Sequence, residues 1–81
     1  MKANTKITLE DGLELNKPTM TIENVIYNWL KNTVLIECIF KEENALYNHS
    51  RNFQFDTKGK ELTSSDILSL INNHEILKNF K

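Results

Sequence analysis

Cys38, His49 and His74 are the residues best suited to hold a soft metal or to form a nucleophile–base pair. Such sites need their groups at short, recurring spacings, because a tetrahedral cage or a proton relay draws on adjacent turns or strands. No two of the three lie at such a spacing. Cys38 alternates with Ile36 and Phe40, the setting of a small buried hydrophobe. His74 falls on the apolar stripe of a helix, where packing is its ordinary role. Tyr47, His49 and Arg51 recur at every second residue, so a strand presents a cation and an aromatic plane on one face, a combination that suits an anion or a base. The same trio also continues the face of Phe53 and Phe55 as a solvated rim, with Arg51 stacked on an aromatic neighbour. Glu42 and Glu43 read as solvating loop residues without a positioned partner. With only Gly12 and Gly59 in the chain, no loop can cradle a phosphate. The expectation is a protein that is not an enzyme, with no catalytic residue, no metal and no cofactor.

Composition narrows the partner. Formal net charge is −1 and the lysines are scattered from Lys2 to Lys81 without a basic run, so nucleic acid is not expected. The longest apolar runs, such as Val34 to Ile36, fall far short of the roughly 20 residues of a membrane helix. No apolar stretch of signal-peptide length follows Met1 to Lys6, and a single cysteine makes no internal disulfide, so the expected compartment is the cytoplasm. The sequon Asn48-His49-Ser50 is then fortuitous, since glycosylation requires secretion. At 81 residues, 40% hydrophobic and 26% charged, residues 1–81 read as one small globular domain. A deep pocket for a small-molecule substrate is not expected at that size.

The elements that position these residues begin with a hairpin over 6–16. A three-residue loop, Glu10-Asp11-Gly12, with Gly12 left-handed, pairs Leu9 with Leu13 and Ile7 with Leu15, whereas a two-residue loop would put them on opposite faces. Pro18 ends the hairpin and restricts Lys17 to an extended conformation. Residues 21–31 have two readings. Ile22, Val25, Ile26, Trp29 and Leu30 have the spacing of an amphipathic helix capped by Thr21, but the segment is rich in β-branched and aromatic residues that favour a strand. As a strand it pairs with Thr33 to Lys41 through a two-residue turn at Lys31 and Asn32. Trp29 then falls opposite Val34, Tyr27 opposite Ile36, and Val25 opposite Cys38. A third strand, with Tyr47, His49, Arg51, Phe53 and Phe55 on one parity, completes a meander over about 20–56. Asp56-Thr57-Lys58-Gly59 reads as a type I turn. Thr63 and Asp66 form a capping box, with Leu62 stapled to Ile67, for a helix over about 64–79 that Asn72-Asn73 threatens to break.

The predicted fold class is α+β: an N-terminal β-hairpin, a three-stranded antiparallel meander and a C-terminal α-helix packed on the sheet. One sheet face carries Val25, Tyr27, Trp29, Val34, Ile36, Cys38, Phe40 and Phe53. The other carries Ile22, Ile26, Leu30, Leu35 and Ile39 among polar residues, and a single short helix covers only one side. The second side needs the hairpin or a partner, which makes Ile22, Ile26, Leu35 and Ile39 the candidate interaction face.

The segments Asn24 to Leu30, Thr33 to Phe40, Arg51 to Phe55 and His74 to Lys81 resemble small uncharacterised β-rich proteins of phages infecting Bacteroidetes-type hosts. The resemblance spans most of residues 20–81, implies a virion or phage-accessory role, and carries no active site. Together with the apolar second face it leads to the expected function: a non-enzymatic assembly or interaction protein, such as a phage structural component in the host cytoplasm or the virion. Its partner is another protein or a copy of itself. The alternative is a monomeric inhibitor or regulator that binds one host protein.

Overall fold

The computed structural model describes every residue from Met1 to Lys81. Strands Lys6–Thr8 (β1) and Glu14–Asn16 (β2) form a two-stranded sheet, and Thr19–Asn28 (β3), Thr33–Lys41 (β4) and Asn48–Asp56 (β5) form a three-stranded antiparallel meander. Helix Ser64–Asn73 (α1) and a 3-10 turn at Leu77–Asn79 follow. The α+β class read from the sequence is the one adopted.

The first hairpin has the expected register. Ile7 pairs with Leu15, Leu9 N–H donates to Leu13 O at 2.8 Å, and Gly12 takes φ +87°, which a glycine adopts without strain. Ile7, Leu9 and Leu15 are buried on its inner face. Lys17 is not extended. Its φ of +46° turns the chain sharply before Pro18, and the reversal is held by Ala3 N–H donating to Pro18 O at 2.9 Å.

The meander is shifted by two residues from the expected register: Tyr27 pairs with Val34, and Val25 with Ile36. The connection has four residues, Trp29 to Asn32, instead of two. Asn28 Oδ1 accepts from Lys31 N–H at 3.2 Å, Asn32 sits at φ +54°, and Asn32 O accepts from Thr57 N–H at 2.9 Å. A slip of two keeps Val25 and Tyr27 facing the core. It expels Trp29 from the ladder, however, leaving it 57% exposed and stacked on Tyr27 with ring centroids 4.9 Å apart.

A second departure has a larger consequence. The ladder jumps between Ile22 and Asn24, so Glu23 is the extra residue of a β-bulge. The bulge reverses side-chain parity, and Ile22, opposite the buried Cys38, joins Met20, Val25 and Tyr27 on the covered side.

That side holds a single core. Val34, Ile36, Cys38 and Phe40 of β4 are fully buried, as are Ile71 of α1 and Leu77, with Phe53, Phe80, Ala3 and the hairpin residues completing the cluster. Hairpin and helix therefore pack on the same side of the meander.

Around α1 the capping box forms: Thr63 Oγ1 accepts from Asp66 N–H at 3.2 Å, and the Asp66 carboxylate accepts from Thr63 N–H at 2.9 Å. Leu62 and Ile67 both pack against the core. The helix stops at Asn73 instead of continuing to 79, because His74 turns extended and its Nδ1 accepts from the N–H groups of Ile76 and Leu77. The apolar stripe survives the break, as Leu77 and Phe80 remain buried. The turn before the helix is not type I. Lys58 and Gly59 both have positive φ, +55° and +77°, the signature of type I′, and Lys60 N–H closes it on Thr57 O at 3.3 Å.

These placements separate two positions that the sequence puts on one face, buried Ile36 and exposed Trp29. Ile36→Ala is expected to cost about 2 to 5 kcal/mol in a urea titration, whereas Trp29→Ala, removing mainly one exposed stacking contact, costs about 1 kcal/mol or less. Thr63→Ala is expected to cost about 1 kcal/mol through loss of the cap.

Candidate functional site

The uncovered side of the meander is built from alternate residues of three strands. Along β4 these are Thr33, Leu35, Glu37, Ile39 and Lys41. Leu35 is flanked by Ile26 and Gln54, Glu37 by Asn24 and Asn52, and Ile39 by Thr21 and Ser50. Ile26 is 51% exposed, while Leu35 and Ile39 are half-buried by their flanking strands alone. Asn24 Nδ2 donates to Glu37 Oε1 at 3.0 Å, so a polar rung separates the Ile26–Leu35 pair from Ile39. Leu30, in the turn at one end of this face, is 98% exposed. Three of the four residues expected to form an interaction face, Ile26, Leu35 and Ile39, share this surface. Ile22 does not, because the Glu23 bulge places it beneath the sheet.

The groups that could do chemistry are occupied structurally. Burial pushes the Cys38 thiol up to about 11, so it stays protonated near neutrality, where the thiolate is the reactive form. His74 Nδ1 accepts from the N–H groups of Ile76 and Leu77, and its Nε2 lies 3.9 Å from Glu10 Oε1. Its ring stands edge-on to Phe53 and Phe55, with centroids 5.0 and 5.8 Å away. Nδ1 is thus engaged by the backbone. His49 pairs with Phe40 across the β4–β5 ladder, and Tyr47 lies outside the strand, largely exposed. Arg51 does not stack on an aromatic ring: it donates to Asp11 Oδ2 and to Ser50 O, both at 2.7 Å, tying the first hairpin to β5. The Leu13 N–H and, after it, the Arg51 guanidinium hold the Asp11 carboxyl below the usual carboxylate range. Glu42 also has a positioned partner, accepting from Asn16 N–H at 3.0 Å. No three His, Cys, Asp or Glu side chains converge on a point able to hold a metal ion.

What this surface offers is one array of amide, hydroxyl and apolar groups with few charges, which suits contact with another protein surface. The exposed apex at Leu30 was not legible as such, although Asn28 and Asn32, both turn formers, flank the four residues that compose it. No helix is long and apolar enough to cross a membrane. A scan against protein-family models finds no match, and searches of curated proteins and of solved structures find none.

The titrations follow from the geometry. The Cys38 pKa is raised from 9.0 to about 11, so the associated stability is fully present below pH 9 and is lost as pH rises through 11. Cys38→Val is expected to fold and to flatten that alkaline limb, and the native thiol is expected to resist a disulfide reagent at neutral pH until denaturant is added. Asp11 has the opposite sign. Its lowered pKa contributes stability above the ordinary 3.8 that is lost as pH falls through the folded value, and Asp11→Asn should reduce this acid-side slope in urea titrations.

Proposed function

We propose that this chain is a small non-enzymatic assembly or interaction protein that associates through the open side of its meander. One observation carries this: hairpin and helix pack on the same side of the sheet, so Ile26, Leu35 and Ile39 receive no cover from the chain's own elements. Apolar residues gathered on one exposed sheet face mark a contact more often than a solvated surface. The partner is a further copy or another protein. Nucleic acid is disfavoured by the net charge of −1, and no small molecule or cofactor enters the reading. The resemblance to phage proteins supports a structural role in a virion, with synthesis in the host cytoplasm.

A monomeric inhibitor or regulator is the second reading. It is favoured by the β3–β4 turn, where Leu30 is 98% exposed beside Trp29, a protruding apolar tip of the kind that enters a pocket on a partner.

Light scattering across a concentration series separates the two. Ile39→Lys is expected to keep the thermal transition of the wild type, because Ile39 lies outside the core, and to weaken association by desolvating a charge in the contact. A wild-type chain that stays monomeric throughout rules out self-assembly and leaves the tip reading.

A further inference from the structure

The meander has two free edges, and they differ. The β5 edge carries Arg51 and Asp56. The segment Asn24-Val25-Ile26-Tyr27-Asn28 of β3 carries no charge at all, and β4 is the only strand beside it. Charges, above all lysines, are the usual device that stops one sheet edge from pairing with another.

The chain already uses the beginning of this edge. Met20 N–H donates to Met1 O at 2.7 Å, the Met1 amino group donates to Met20 O at 3.2 Å, and Lys2 bridges Thr19 in antiparallel sense. Met20 therefore turns its backbone groups outward, away from β4. In a strand of L-residues the side-chain face and the hydrogen-bonding side alternate together. Val25 and Tyr27 share the face of Met20, so their N–H and C=O groups also point outward, toward no strand of this chain.

We propose that β3 pairs with β3 of a second copy, antiparallel about a two-fold axis through Ile26, joining two meanders into one six-stranded sheet. The occupant is specified by the edge itself: two outward-facing residues separated by one require an extended strand that presents the same pair. Residues 24–28 present it in reverse. Under the two-fold, Asn24 meets Asn28, Val25 meets Tyr27, and Ile26 meets Ile26, so every rung is matched in polarity and none opposes like charges. The bulge at Glu23 confines the straight stretch to these five residues, so the pairing has one register. Ile26, 51% exposed, is buried against its counterpart. The apolar groove of about 260 Å³ lined by Ile22, Val25, Ser64, Ile67 and Leu68 opens beside the same edge and is closed by the arriving strand.

This rests on the association reading above and adds to the open face a second, directional contact at the sheet edge. Val25→Pro removes the outward N–H while sparing the ladder to β4. Wild type is expected to form an edge dimer by light scattering that folded Val25→Pro loses and Ile39→Lys keeps, since Ile39→Lys weakens only further association through the open face. Ile26→Lys and Ile26→Glu should each raise the dissociation constant about tenfold or more. An equimolar mixture of the two should recover the dimer, because the axis sets residue 26 opposite itself. The inference is overturned if wild type is monomeric, if folded Val25→Pro still dimerises, or if the mixture stays monomeric. Dimers lost in Ile39→Lys but retained in Val25→Pro overturn the edge and keep the face. Should Val25→Pro fail to fold, the Ile26 mixture decides.

Discussion

Everything in this molecule is arranged to cover one side of β4. Val34, Ile36, Cys38 and Phe40 are all fully buried, which no single neighbouring element could achieve for a strand of this length. The hairpin, α1 and the 3-10 turn divide the task, and the chain ends complete it. Phe40 meets Phe53 and Phe80 at centroid distances of 6.2 and 5.4 Å, while Lys2 and Lys81 exchange backbone hydrogen bonds of 2.9 and 3.2 Å that hold Phe80 in place beside buried Ala3. Among residues 1–81, every element outside the meander packs on this side. The uncovered opposite side is thus a direct consequence of the packing of the first.

Local chemistry was legible where a residue acts through its own backbone or its immediate neighbours. Gly12 in a left-handed loop gives the first hairpin its register, Thr63 and Asp66 start the helix, and the alternation through Phe53 and Phe55 marks β5. The sheet register was not legible, because its turn is set from a distance: Asn32 O accepts from Thr57, which belongs to the chain beyond β5. The stop of α1 at Asn73 was hinted at by the Asn pair but is secured by the His74 ring, a side chain the helical stripe had already placed.

The helix-like spacing of Ile22, Val25 and Ile26 has its explanation in the bulge. A strand with one inserted residue advances three positions between same-face side chains once, and that single step from Ile22 to Val25 imitates a helical i, i+3 pair. The ambiguity of residues 21–31 and the misplacement of Ile22 on the open face thus have one cause. Of the candidate site, Ile26, Leu35 and Ile39 were readable because they lie beyond the bulge or on regular β4.

The same inserted residue links the core to the open face. By turning Ile22 inward it lets β3 contribute two further core positions at its start, which a regular strand with this sequence would have exposed. It also reduces the apolar content of the open face to Ile26, Leu35 and Ile39, broken by the Asn24–Glu37 rung. On the reading proposed above, a weaker face beside an uncharged edge shifts the balance of association from side-chain burial toward backbone pairing. Backbone pairing is directional and fixes a register, whereas a mixed polar and apolar surface of this kind tolerates several docking angles. On the assembly reading proposed above, defined geometry matters more than buried area, and β3 is the element of this chain that would supply it.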